Sequence, residues 1–385
     1  MIIDVHCHYT LTRRRAHAGE RFDFELPGRD GQPAYDSCVA PRFPPGIARR
    51  FVQWLAGLDW RLRPGDELDG ELERCYERHL LGEGPIERFV LLAFDAYHDD
   101  AGRRPLLPER RGERGSDMYV SNTFVRELCR RHPERFLFGA SVHPYRPNAV
   151  RCVEEVFLAG ACLLKWIPLH QNIDVADPRT LAVMRRCSEL GLPLLVHYGE
   201  EFTLATQHRE YQSVTALLDV LRRLRREGRM PRTIVAHLAT PVTPFGERRS
   251  FQALIEALLG EFADAPLHAD ISALTAWSKV GFLRRAARLQ ELHAKLLFGT
   301  DFPVPLGMPW LRRELGRDYR RIAAEPSWPQ RVAQIYRRVG FNEIVFHRAA
   351  ELLPNIDAFT LRRARSGGDW SGHGSSSSVG RMGNP

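Results

Sequence analysis

The stretch IIDVHCH, residues 2–8, sets His6 and His8 two positions apart at the end of a short apolar run. In an extended strand, residues i and i+2 share a face about 6–7 Å apart, so both rings can reach one cation. Such a pair also occurs in ordinary strands, so its meaning depends on partners elsewhere in the chain. Later apolar runs supply candidates: His143 after FLFGASV, Lys165 in ACLLKWI, His197 in PLLVHY, His237 in TIVAHL and Asp301 at the end of KLLFGTD. Glu200 and Glu201 follow His197. Neutral imidazoles with one carboxylate suit a divalent ion, Zn²⁺ first, with Mn²⁺ or Fe²⁺ as alternatives. On this reading His6, His8, His197 and Asp301 hold the ion. Each residue also has a plainer role. His143 could be a satisfied loop histidine, Lys165 an ion-pair partner of Glu200 or Asp301, and His237 a core histidine. Cys7 points to the opposite face of a regular strand and is left out of the site.

Distant residues converge only if the fold brings them together. Apolar, β-branched runs at 1–6, 88–95, 136–142, 161–167, 193–198, 233–238, 266–272 and 295–301 alternate with amphipathic stretches. Those stretches lie at 66–81, 122–132, 147–160, 178–191, 211–228, 250–262 and 280–293. Eight strands separated by helices predict a parallel sheet closed into a (β/α)8 barrel. No glycine-rich phosphate loop follows an early strand, which argues against an open doubly wound sheet. In a barrel, the C-terminal strand ends form the active face. Six of the eight runs place a candidate residue there. A large insertion, about 9–64, follows strand 1, carries an amphipathic stretch at 47–60, and reads as a lid or dimer contact. A second excursion spans 97–117. Helical segments at 309–324, 328–339 and 342–353 close a single domain over 1–363. The Gly/Ser-rich tail, 364–385, reads as disordered.

The chain has 385 residues, 44% hydrophobic and 26% charged, enough for a packed core. No window is apolar for long enough to span a bilayer. The N-terminus lacks a signal peptide's basic start and long apolar run. Seven scattered cysteines without a CxxC read as reduced thiols, which places the protein in the cytoplasm. Net charge is +8. The runs Arg13–Arg15 and Arg222–Arg226 read as solvated faces, not as nucleic-acid sites. Of 55 basic side chains only Lys165, Lys279 and Lys295 are lysines, so a retained lysine points to chemistry that arginine cannot do. Arginines in both excursions favour a small anionic substrate.

Taken in order, DVHCH, the strand-4 lysine, LLVHYGEE, IVAHLATP and LLFGTDFPVP resemble the amidohydrolase superfamily. The likeness is greatest to the amidohydrolase-related branch that includes metal-dependent decarboxylases of aromatic acids. The resemblance covers residues 1–8 and 66–353. It implies a barrel enzyme whose divalent metal is bound by His6, His8, His197 and Asp301, with one ion favoured over two. It also implies that His237 polarises substrate or moves a proton, and that Asp301 exchanges a proton with water and leaving group. The reaction is then hydrolysis of an amide, ester or lactone, or, alternatively, decarboxylation of an aromatic or unsaturated acid. Lys165 could hold a substrate carboxylate or, as a carbamate, bridge a second metal with His197 and His237. His143 and Glu200 are further candidates for a second metal or for substrate. Relatives are often dimers. A deoxyribonuclease-like relative would carry Glu where Lys165 stands. A metal-free lactonase or a non-catalytic binding module would lack a full ligand set.

Overall fold

The computed structural model describes residues 1–27, 33–41, 58–59, 61–105, 107–110, 113–201, 204–242 and 248–361. Eight parallel strands form one sheet in the order β1 (Ile3–Cys7), β4 (Arg88–Leu92), β6 (Phe136–Ala140), β7 (Ala161–Trp166), β8 (Leu194–Val196), β9 (Thr233–Val235), β10 (Leu267–Asp270) and β11 (Leu296–Leu297). The sheet closes on itself beyond β11. Val5 N–H donates to Phe298 O (3.1 Å), Asp301 N–H to His6 O (2.8 Å) and His8 N–H to Phe302 O (2.9 Å). The eight-stranded barrel expected from the alternating runs is therefore present, with a run at every expected position. The helices fall where the amphipathic stretches lie. Val214–Arg226 buries Val214, Leu217, Leu218, Leu221 and Leu224, the i, i+3, i+4 face of a helix on a barrel. Gly191 (φ 63°) and Gly228 (φ 68°) turn the chain out of two helices through the left-handed region that side chains avoid.

Ile3, Val5, Val90, Leu92, Leu137, Leu163, Leu195, Ile234 and Leu297 form one cluster with Ala349 and Leu353. Seven strands feed that cluster, so it fills the barrel, and the C-terminal helix Ala349–Leu352 packs against it. Cys7 instead joins the outer cluster beneath the helices. The β1–β4 register slips between Asp4 and Cys7. Such a bulge exchanges the faces of a strand, so the side that carries Ile3 and Val5 gives way to the side that carries His6 and His8. Cys7 stays outside the site as expected, although β1 is not regular.

Sequence reasoning missed a second sheet. β2 (Arg13–Arg15), β3 (Tyr35–Val39) and β5 (Met118–Val120) pair antiparallel in the order β2-β3-β5. The sheet ties the insertion after strand 1 to the residues just past the second excursion, and Val120 bridges to Phe94 beyond the end of β4. Glu25 ties the insertion down further. Its carboxylate accepts from the backbone N–H groups of Asn122 (2.7 Å) and Thr123 (2.9 Å), capping the helix Asn122–Arg131. The amphipathic stretch 47–60, apart from 58 and 59, and the tail 364–385 lie outside the described residues. The described cysteines are all buried and unpaired. Among the described residues no helix is long and apolar enough to cross a membrane.

Candidate functional site

The strand ends bring together residues more than 290 positions apart in sequence. His8 Nε2 lies 3.2 Å and His6 Nε2 3.4 Å from Asp301 Oδ1, and His237 Nε2 lies 3.7 Å from Asp301 Oδ2. The His6 and His237 rings stack at 4.8 Å between centroids, and the His197 ring meets His237 edge-on at 5.1 Å. Donor atoms of His6, His8 and Asp301 lie within 4.8 Å of one another, as do those of His6, His237 and Asp270. His197 belongs to neither trio. Its Nε2 faces Glu201 Oε2 (3.4 Å) and Glu200 O (3.3 Å). His197 is nonetheless one ring away from His6, through His237.

Asp270, at the end of β10, organises the cluster, and sequence reasoning passed over it. Its Oδ2 accepts from His6 Nδ1 (2.8 Å) and its Oδ1 from the His237 backbone N–H (2.8 Å). The Ser272 hydroxyl also donates to Oδ1. Burial alone would raise the Asp270 pKa; the His6 and His237 rings and these hydrogen bonds hold it below the usual carboxylate range. An ionised carboxylate only accepts, so the His6 proton sits on Nδ1 and the Nε2 lone pair faces Asp301. His237 follows the same rule. Its Nδ1 lies 3.2 Å from Ser272 O and 2.7 Å from Ser272 Oγ, and the carbonyl can only accept. Both rings therefore carry Nδ1–H and leave Nε2 unprotonated, as an acceptor. Burial holds both imidazoles below their ordinary pKa, which keeps them neutral. Two oriented lone pairs and an ionised Asp301 are a donor set that could hold a divalent ion.

Backbone strain gathers at the same rim. Asp301 (φ 61°), His237 (φ 53°), Leu238 (φ 53°) and Ala239 (φ 50°) all occupy the left-handed region. Each non-glycine residue there costs about 1–2 kcal/mol, which the packed surroundings must supply.

Lys165 lies inside the cluster, 1% exposed, with Nζ 3.1 Å from His6 Nε2. Burial pulls its pKa down to about 8, against the opposing charges of Asp270, Asp301 and Glu201. Glu200 and His143 are not brought to the centre. The Glu200 carboxylate accepts from the Val242 N–H (3.0 Å), so Glu201, one turn from His197, is the acid that meets that ring. The His143 ring is taken up by backbone. Nε2–H donates to Gln171 O (2.8 Å), and Nδ1 accepts from the Tyr145 N–H (3.0 Å). Both ring nitrogens are thus satisfied by backbone groups.

That placement makes His143 a source of acid sensitivity. Burial holds its pKa near 4, against an ordinary 6.5. Between those values the unfolded chain binds a proton that the folded chain refuses. Stability is therefore complete above about pH 6.5 and falls toward pH 4, by up to about 1.4 kcal/mol per pH unit for this ring. Urea unfolding of metal-free protein across that window is expected to show a shallower slope for His143→Gln than for wild type. Equal slopes would contradict the assignment.

The family model described as amidohydrolase matches residues 91–336. The chain belongs to the amidohydrolase family. The resemblance read from the strand-end motifs thus holds, and the protein is an enzyme of that family. No curated protein sequence matches this amidohydrolase. Solved structures similar to it include an uncharacterised TIM-barrel protein from Bordetella bronchiseptica: 17% identity, 91% of this chain and 96% of that chain covered, TM-score 0.48. A Pseudomonas putida protein assigned as a 2-pyrone-4,6-dicarboxylic acid hydrolase shares 14% identity over 93% and 97% of the two chains, TM-score 0.48. A 5-carboxyvanillate decarboxylase from Novosphingobium aromaticivorans, with bound manganese, shares 12% identity over 90% and 97%, TM-score 0.44.

Proposed function

We propose that this amidohydrolase is a metal-dependent hydrolase that cleaves an amide, ester or lactone bond of a small anionic molecule. The observation that carries the reading is the His6–Asp270 hydrogen bond, which leaves the His6 Nε2 lone pair unprotonated, with Lys165 Nζ at 3.1 Å and Asp301 Oδ1 at 3.4 Å, beside His8. His6, His8 and Asp301 would hold one divalent ion, with His197 completing the set from the far side of His237. The nitrogen-rich donors favour Zn²⁺ over Mn²⁺ or Fe²⁺. Such an ion, when bound, supplies Lewis-acid polarisation and a more acidic water.

The protein's own groups move the protons. Asp301 is held ionised: burial raises its pKa, and the His237, His6 and His8 rings more than offset that. It accepts a proton from the attacking water as the new C–O bond forms. The same proton passes to the leaving nitrogen or oxygen as the old bond breaks. His237 presents Nε2 as an acceptor, so it stabilises an oxyanion only after taking a proton itself. The Asp301 proton is already committed to the leaving group, so His237 Nε2, 3.7 Å from Asp301 Oδ2, serves as an acceptor at the substrate. One ion is favoured over two, with Lys165 left as an ammonium that would stand off from the ion.

Decarboxylation of an aromatic or unsaturated acid is the second reading, favoured by the buried Lys165 ammonium beside His6. Assay of the metal-loaded protein in ¹⁸O-water, against panels of esters, lactones, amides and unsaturated acids, separates the two. Hydrolysis puts the label in the product; decarboxylation releases CO₂ and takes a solvent proton onto carbon. Turnover of no member of any panel would overturn both.

Asp270 gives an independent check. Asp270→Ala frees the His6 ring to rotate and is expected to weaken Zn²⁺ binding by about 10–100-fold, measured by chelator competition. Unchanged affinity would remove Asp270 from the account.

A further inference from the structure

Ser272, two residues beyond Asp270, is fully buried, and its hydroxyl meets three partners at once. Oγ lies 3.1 Å from His6 Nδ1, 2.7 Å from His237 Nδ1 and within hydrogen-bond reach of Asp270 Oδ1. Each of these contacts needs one proton between its two atoms. A serine hydroxyl has one proton to give and two lone pairs to accept with. Asp270 is ionised and has no proton to give, so the Ser272 proton lies toward its carboxylate. The two rings must then supply the other two protons, each from Nδ1. That count fills the capacity of the hydroxyl. It also agrees with what Asp270 Oδ2 requires of His6, and the Ser272 carbonyl of His237, taken separately.

Main chain holds the hydroxyl in place. Ser272 N–H donates to Asp270 Oδ1 (3.0 Å), which folds residues 270–272 into a tight turn around the carboxylate. Gly299, just past β11, presses against the same spot. A Cβ built there would lie 3.1 Å from the Cβ atoms of both His6 and Ser272, so a glycine keeps the hydroxyl within reach of both rings. The rings are therefore tied to each other. If either moved its proton to Nε2, a bare Nδ1 would face an oxygen lone pair in a buried site, at the cost of an unmade hydrogen bond.

We propose that Ser272 is a positioning residue of this site, its one hydroxyl tying His6 and His237 into a single hydrogen-bonded unit. Both Nε2 atoms are thereby kept as lone pairs, His6 toward the cation and His237 toward the substrate. The inference rests on the metal-dependent reading given above and adds the residue that makes the two rings act together. Full-length, metal-free protein labelled with ¹⁵N at histidine reports the tautomers in long-range ¹H–¹⁵N correlation spectra at slightly alkaline pH. His6→Gln and His237→Gln assign the two rings. Both are expected as Nδ1–H in wild type. Ser272→Ala removes the hydroxyl but leaves Asp270 Oδ1 two backbone donors, the N–H groups of residues 237 (2.8 Å) and 272 (3.0 Å), so the fold should hold. In that variant His6 keeps Asp270 Oδ2 and should stay Nδ1–H. His237 keeps only the carbonyl at 3.2 Å and should shift about fivefold toward Nε2–H, the worth of one hydrogen bond. Either ring found as Nε2–H in wild type overturns the proton count, whatever the variant does. A folded Ser272→Ala protein with the wild-type His237 tautomer overturns the role of the hydroxyl, because the carbonyl alone would then set the ring. The tautomers are read without metal or substrate, so failure here is distinct from failure of the hydrolase reading, which is judged by the labelled product.

Discussion

Asp301→Asn is expected to lower turnover of the substrate found by the panels about a thousandfold or more, with the fold retained. The amide keeps the shape of the side chain and removes the proton acceptor, and general acid–base catalysis is worth about 10²–10⁴-fold. It also removes the negative charge that His8 and His6 face at 3.2 and 3.4 Å, so bound metal should fall in parallel. The Asp301 backbone N–H still donates to His6 O, which holds β1 against the last strand end. Thermal unfolding should therefore change little. Steady-state kinetics with a metal assay on the same sample checks both outcomes. Turnover within tenfold of wild type would exclude Asp301 as the proton carrier.

The second large effect is on stability, away from the reacting groups. Asp95 and Arg146 form a buried two-point pair, Nε to Oδ2 and Nη2 to Oδ1, both 2.5 Å. Asp95 also accepts from the backbone N–H of His143 (2.7 Å) and of Ala96 (2.7 Å), so it pins the ends of β4 and β6 together. Burial would raise the Asp95 pKa, but Arg146 holds it well below the ordinary range. Arg146→Ala leaves a charge buried without its partner, at a cost of about 3–5 kcal/mol. Equilibrium urea unfolding of wild type and variant measures it. A loss below about 1 kcal/mol would mean that water reaches Asp95 and that the pair is not sealed.

Much of this was legible in the sequence because its signals are local. Each barrel strand is a short apolar run, and each partner helix shows a 3.6-residue stripe, so the architecture followed without any long-range information. The strand-end rule marked His6, His8, His143, Lys165, His197, His237 and Asp301 as neighbours; the structure brings all of them but His143 into one cluster, and His143 packs against His98, Tyr145 and Gln171 instead. Asp270 was missed although HADIS ends a recognised strand. A lone Asp there looks like an ordinary strand terminus, and its importance lies in a hydrogen bond across 264 positions. The choice between Glu200 and Glu201 depended on which way a tight turn aims two adjacent side chains, which spacing does not encode. The β2-β3-β5 sheet was invisible for a related reason. Its strands are three to five residues long, one is all arginine, and the pairing joins the insertion to a segment about 80 residues further along the chain.

The central claim is that imidazoles from β1 and the carboxylate that follows β11 hold one cation. Full-length protein stripped with chelator, dialysed against Zn²⁺ or Mn²⁺ and analysed by inductively coupled plasma mass spectrometry tests it directly. The account predicts about one ion per chain in wild type, and almost none in His8→Ala and Asp301→Ala prepared in the same way. Wild-type protein that retains no ion, or variants that retain as much as wild type, would contradict it.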